Sequence, residues 1–486
     1  MNYRNNFLAL LTVLLGGVSV WFFIGRPATG IDDADIFLVY AQNMAAGHGF
    51  VYNIGGEPVE GFTSMLWTLL CAGLASIFQS PEKPLLLLNL IFGAVMIGAC
   101  LKRVEHPGRF LLMFAAAPVW FVWCQLTLME TGLWCLLITL LGLAVLERRQ
   151  RAVLVLLPLL LITRPESMLW GLWIVVLVFL QGEPGRRIKA AGPALLVYLV
   201  TLGTLIGFRM SYFGFPVPNT FYAKVSLGFF SNMQDGLGYL LRFAVSGGMV
   251  LCLLIILLRV LTRAGRARSN SFWLALFLLP GLGIPVLVGG DHFFGFRFYQ
   301  PLWPLLCLIG ANEWPRVTTH LAPWLGRGVL PVLLVVGWVL FPITANIKHE
   351  FRIAKEGRAN GAALTQMFQD LDSWPTVAVI TAGGNKLGYP GPVLDLMGLN
   401  NTEMAHAPGD AANFKNHTGF TRAIFYEWLP DILLCGDSST FDSLVLNGLH
   451  DEPEFKLLFV KCRLYRNGAE LNAWFRNEFL KSLPEG

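Results

Sequence analysis

Up to about residue 346 the chain alternates long apolar runs with short charged loops, and then the alternation stops. This feature leaves few folds open. A run of about 20 apolar residues crosses a bilayer as a helix, because only a helix satisfies its own backbone there. With 55% hydrophobic and 14% charged residues, the chain reads as an integral membrane protein rather than a soluble enzyme with a large core. From 347 to 486 the composition is that of an ordinary water-soluble domain. The expected organisation is a transmembrane region, 1–346, followed by a soluble α/β domain, 347–486. The first run, "FLALLTVLLGGVSVWFFIG", is followed by "GRPATG", a poor cleavage site, so it reads as an uncleaved helix.

Charge sets the expected orientation. The loops "LKRVEHPGR" (101–109), "ERRQR" (147–151), "GRRIK" (185–189) and "RVLTRAGRAR" (259–268), with Arg4, Arg316 and Arg327, hold most of the basic residues before 347. They are expected to face the cytoplasm. Segments 63–79 and 84–101 both look apolar, but two full crossings there would turn every later basic loop outward. Only 84–101 is therefore taken as a crossing, and 63–79 as a re-entrant or interface helix. Further crossings are expected near 110–125, 131–147, 152–164, 167–181, 190–209, 236–258, 271–289, 299–312 and 326–345. The fold class is thus a polytopic α-helical membrane protein of about eleven spans plus interface helices, with its soluble domain on the periplasmic or outer side.

With that topology the distinctive polar residues gather on the outer side. The loop at 26–62 carries Asp32, Asp33, Asp35, His48, Glu57 and Glu60. Glu130 follows in "TLMETG", Arg164 and Glu166 in "TRPES", Lys224 in "FPVPNTFYAK", and Asp291, His292 and Arg297 in "GGDHFFGFRFYQP". Within "DADIFLVYAQNMAAG" apolar residues at 36, 37, 40 and 44 are spaced as on a helix, which Gly47 and Gly49 end. The helix is too short to span and reads as lying at the membrane interface. Asp32 or Asp33 could cap its N-terminus, but a cap accounts for only one of them. A glutamate at a turn, a snorkelling arginine or lysine, and a His–Asp polar pair are the ordinary readings of the other residues. Among the cysteines, Cys435 and Cys462 of the soluble domain could form a disulfide; two unpaired thiols is the reading adopted. The domain's strands are expected in "TVAVITAG", "PVLDLMG", "PDILLCG" and "FKLLFVKCRLY", with a helix in "GAALTQMFQDL".

The stretch "DDADIFLVYAQNMAAGHGFVYNIGGEPVEGFTSMLWTLL" resembles the first periplasmic loop of the C-superfamily glycosyltransferases, GT-C. It is most similar to the branch holding the mycobacterial terminal arabinofuranosyltransferase and its proteobacterial relatives. "LMETGLW", "RPES", "VPNTFYAK", "GGDHFFGFRFYQPLWPLL" and "VLDLMGLNN" extend the resemblance over nearly the whole chain. It implies a bacterial inner-membrane enzyme that moves a sugar, D-arabinofuranose, from a polyprenyl-phosphate carrier to an acceptor. The acceptor would be a periplasmic or outer-leaflet glycan or a surface protein such as a pilin; nucleic acid is not an expected partner. Asp32 and Asp33 would be the catalytic carboxylates, since a sugar hydroxyl needs a base to take its proton. Glu130, Arg164, Lys224, Asp291, His292 and Arg297 would bind substrate and meet the charge of the departing phosphate. Asp35 stands where the family pattern more often has an aromatic residue, and is expected to matter less. "Asp33-Ala34-Asp35" has a D-x-D spelling that a divalent cation could use; a metal-free mechanism is the expectation. The rival readings are a polymerase of lipid-linked oligosaccharides, and a flippase or transporter. The last predicts internal repeats or mid-membrane charges, which the sequence lacks.

Overall fold

The computed structural model describes residues 3–224, 229–262, 269–320, 323–344, 347–407, 420–435 and 440–484. These fold into two compact units. One comprises Met1–Thr29, Glu82–Leu205 and Gly228–Lys348; the other gathers Gly30–Pro81, Ile206–Leu227 and His349–Gly486.

The first unit is helical. At its centre lies Thr131–Leu146, apolar all round and buried along nearly its whole length, as a core helix should be. Tyr3–Ile24, Glu82–Leu101 and Trp303–Val317 belong to the same unit. In the whole chain, four described helices are long and apolar enough to cross a membrane: Tyr3–Ile24, Glu82–Leu101, Arg187–Tyr212 and Asn270–Leu287. Shorter apolar helices include Met65–Ala75, Gln150–Leu161 and Ser167–Gln181.

Two expected straight spans are bent. The 110–125 segment is the pair Pro107–Ala115 and Pro118–Leu126, at 79° to one another. Pro118 cannot continue the preceding helix, and it biases Ala117 away from helical backbone. The 236–258 segment is broken at Ser246-Gly247, where Phe230–Val245 and Gly248–Thr262 meet at 108°. A serine followed by two glycines is a usual site for such a kink. The segment 299–312 also differs: it opens as a 3-10 helix, Arg297–Leu302, before Trp303–Val317.

The second unit carries a five-stranded sheet. Its strands are β1 (Val377–Val379), β2 (Val393–Asp395), β3 (Ile432–Leu434), β4 (Phe459–Arg466) and β5 (Ala469–Arg476), in the order β2-β1-β3-β5-β4. β1 runs parallel to β2 and β3, and β5 is antiparallel to β3 and β4. Beneath it packs a core that includes Phe420, Phe425, Phe455 and Phe459. The residues Phe455–Leu458, expected as strand, close a short helix instead, and β5 was not anticipated. Cys435 follows β3 and Cys462 lies on β4; both are free thiols, and β5 runs between the strands concerned. The same unit contains the helix Asp32–Ala45, here called the aspartate helix, and, from His349 onward, the long helix Ile347–Phe368. The aspartate helix ends where Gly47, at φ +86°, takes a left-handed backbone that a side chain would disfavour.

Candidate active site

The three aspartates divide by what holds them. The expected cap is absent: the N-cap residue is Ile31, with no side-chain hydrogen bond, and Asp32 is already helical. Asp32 instead accepts from two distant backbone groups, Gly383 N–H at 3.0 Å and Gly384 N–H at 2.8 Å. These are free amides in the first turn of the short helix Ala382–Leu387, so Asp32 caps that helix rather than its own. The approach needs glycine, since a Cβ on Gly383 would collide with the Asp32 carbonyl. Asp35 is fully buried and receives the Arg358 guanidinium on both oxygens, Nε to Oδ2 at 2.7 Å and Nη2 to Oδ1. The second carboxylate of the D-x-D spelling is therefore engaged by an arginine. Asp33 is half-buried and has no hydrogen-bond or ionic partner among the described residues.

The surrounding network fixes this helix. Tyr52 donates to Ala382 O at 2.6 Å. The Asn53 amide exchanges two hydrogen bonds with the backbone of Val393, at 2.9 and 3.0 Å. Glu60 and Arg209 form a buried bidentate pair at 2.8 Å. Asn219, from "VPNTF", donates to the carbonyls of Gly398, Leu399 and Asn401. That loop is itself folded around Asp395, which accepts from Met397 N, Asn400 N and Asn400 Nδ2, each at 2.9 Å. Asn53, Arg209, Asn219 and Asp395 were not singled out by sequence reasoning. Their polarity was visible, but their partners lie far away along the chain.

Burial pushes the Asp32 carboxyl up to about 7; the Asp35 and Asp33 charges add to this and the two N–H groups oppose it. Burial likewise raises Asp395 to about 6. Both groups hold a proton more readily when folded than when unfolded. Their contribution to stability is therefore complete below the ordinary carboxylate range and is lost as pH rises through about 6 to 7. The melting temperature should fall as the buffer is taken from pH 5 to pH 8, and Asp32→Asn should flatten part of that slope. A melting temperature that rises with pH over this window would contradict the assignment.

In the helical unit the remaining candidates form two clusters. Arg164, buried, donates to Glu130 through Nη1 and to Glu166 through Nε and Nη2, the latter two at 3.1 Å. Its guanidinium lies over Trp134 and Phe298, 4.9 and 5.1 Å from the ring centres. Arg297 donates to Asp291 at 2.8 and 3.4 Å and covers Phe293 at 4.6 Å. His292 is 3.6 Å from Asp291 and lies against Phe293, the ring centres 4.1 Å apart and the planes tilted by 34°. The Lys224 side chain lies outside the described residues. Among those described, no group of three or more His, Cys, Asp or Glu is arranged to hold a metal ion.

Asp291, His292 and residues around the 246–247 break line a cavity of about 420 Å³. Its walls are largely aromatic and aliphatic: Phe243, Phe296, Trp303, Leu333, Leu340 and Phe341. Arg242 also lines it, exposed and with no ionic partner among the described residues. Sequence reasoning missed Arg242, a single cation in an amphipathic helix. Its signal was its position four residues before a Ser-Gly-Gly break.

Bent apolar helices, a short aspartate helix and a terminal α/β layer together make a membrane-protein fold of the GT-C type. The solved structure of ArnT from Cupriavidus metallidurans, bound to undecaprenyl phosphate, shares that fold. It matches with a TM-score of 0.58 over 98% of this chain and 99% of that one, at 15% sequence identity. No protein-family model and no curated protein sequence matches the chain.

Proposed function

We propose that the protein is a membrane glycosyltransferase that takes a sugar from a polyprenyl-phosphate carrier. The observation that carries this reading is Asp33. Its two neighbouring carboxylates are tied down, and it alone of the three has no partner among the described residues. In the reaction, Asp33 takes the acceptor hydroxyl proton as the acceptor oxygen bonds to the sugar's anomeric carbon. The bond from that carbon to the phosphate oxygen breaks, and polyprenyl phosphate leaves. Asp32 and Asp35 position the helix that carries Asp33. The fold shared with ArnT, whose structure holds undecaprenyl phosphate, supports a lipid-linked donor.

The apolar cavity with Arg242 is assigned to the donor's tail and phosphate, a cation with free N–H groups being the complement of a phosphate. The resemblance to the arabinofuranosyltransferase branch makes the sugar D-arabinofuranose and the acceptor an outer glycan or surface protein. The excess of basic residues in the opposing loops supports a periplasmic position for the aspartates in this reading.

The test is transfer by the purified protein from a synthetic polyprenyl-phosphate pentose, with Arg242→Gln alongside. Loss of a charged hydrogen bond costs about 1.5–3 kcal/mol. Donor affinity should therefore fall roughly 10- to 150-fold, with folding intact because Arg242 is exposed. Unchanged donor affinity would move the phosphate to Lys224 or Arg297. No transfer by the wild type from any polyprenyl-phosphate sugar would sink the reading.

A further inference from the structure

The 79° bend between Pro107–Ala115 and Pro118–Leu126 takes two backbone carbonyls away from their usual donors. In an unbroken helix Phe114 O would accept from residue 118, but a proline there has no N–H. Ala115 O would accept from Val119 N–H, and among the described residues no such bond crosses the bend. Phe114 O keeps one long bond from the backbone, Ala117 N–H at 3.4 Å. Two tryptophans from other helices of the same unit supply the missing donors. Trp303 Nε1 donates to Phe114 O at 2.9 Å, and Trp338 Nε1 donates to Ala115 O at 2.8 Å. A carbonyl shielded from water needs a donor, so each indole favours the bent form.

The bend also shapes the cavity assigned above to the donor. Ala116, Ala117, Pro118 and Val119 form part of its lining. Trp338 does not line it, but Gly337, Leu340 and Phe341 of the same helix, Pro323–Thr344, do. That helix lies hard against the bend, where a Cβ on Gly337 would collide with Ala116 O. Beyond the bend, Trp123 Nε1 donates to Phe294 O at 2.8 Å, which ties the bent segment to the loop of Asp291 and His292. The angle of the bend thus sets a wall of the cavity and the place of that loop together.

We propose that Trp338 is a positioning residue for the lipid-linked donor. Its indole N–H fixes the bend, and through the bend it fixes the wall against which the donor's tail packs. The proposal rests on the reading of that cavity as the donor site. Trp303 makes the corresponding bond to Phe114 O but lines the cavity itself, so replacing it would mix two effects.

Trp338→Phe and Trp338→His, made in the full-length protein, separate the N–H from the ring. Phe keeps an apolar ring beside Phe23 and Phe341 but carries no N–H. His is smaller and more polar, yet its Nε2 takes the place of the indole Nε1 in the five-membered ring and can donate from there. Trp338 is half-buried, so both variants should fold. Affinity for undecaprenyl phosphate is measured first, then KM and kcat with a synthetic polyprenyl-phosphate pentose. Trp338→Phe should weaken binding and raise the donor KM by roughly fivefold or more, the effect of leaving a shielded acceptor unpaired. kcat at saturating donor should be unchanged, and Trp338→His should recover most of the affinity. A role in packing alone gives the reverse order, because Phe is the closer match in size and polarity. Wild-type affinity in Trp338→Phe, or weaker binding in Trp338→His than in Trp338→Phe, would overturn the proposal whatever the melting temperatures do. Failure of the wild type to bind undecaprenyl phosphate would instead remove the donor reading of the cavity, and the positioning role with it.

Discussion

Asp33→Asn is expected to lower turnover by roughly 100-fold or more, the scale of losing a general base, while the protein melts as before. The carboxylate touches no other described group, so nothing in the fold depends on it beyond its place in the first turn of a helix. That placement is worth about 0.3–1 kcal/mol. The neighbouring variants should behave in the opposite way. Asp32→Ala leaves the Gly383 and Gly384 amides without their acceptor, at a cost of about 1–3 kcal/mol. Asp35→Asn weakens the Arg358 pair and should also show first as lost stability. Turnover and melting curves on the same three preparations separate the roles. Wild-type turnover in Asp33→Asn would end the case for it as base and turn attention to Glu130 and Asp291.

Arg164→Leu is expected to destabilise the helical unit by about 3–5 kcal/mol. Removing one partner from a buried ion pair strands the other, and here two carboxylates, Glu130 and Glu166, would be stranded. Thermal melting or denaturant titration in detergent measures it. Adding Glu130→Gln and Glu166→Gln to Arg164→Leu should recover part of the loss, because neighbouring charges couple rather than add. If Arg164→Leu folds with wild-type stability and fails only in transfer, the arginine meets substrate and the ion cluster is incidental.

The membrane class and four of the five strands, β4 from Phe459 onward, were legible because hydropathy is a local property. A run such as "YRNNFLALLTVLLGGVSVWFFI" has the same meaning wherever its neighbours lie. Bends were not legible from hydropathy, which is blind to direction, although Pro118 and Ser246-Gly247-Gly248 mark both places. β5 could have been found: Asn467 and Gly468 both adopt positive φ, the turn that an Asn-Gly pair between two strands announces. The candidate site was half visible. The sequence shows three acids in four positions on a helix start, and those acids do cluster at one place. Which of them is open depends on Arg358, Gly383 and Gly384, and no local pattern connects these to residue 32. The same distance hid Glu60–Arg209. It also turned Asn219, which reads as a loop residue, into the clamp of the 398–401 turn.

The clasp between Asp32 and the 383–384 amides spans 351 and 352 positions, and this sets a timetable for biogenesis. A ribosome adding about 5–20 residues per second needs roughly 20–70 s to cover that stretch. During that interval the N-terminal acids have emerged, but the amides and the guanidinium that receive them have not been made. The helical segments can insert in order as they appear, each satisfied within itself. The acidic loop must wait until residues 358–384 have been made before this clasp can close. A frameshift or stop codon anywhere before codon 358 then yields a chain that can enter the bilayer yet leaves Asp32 and Asp35 without their counterparts.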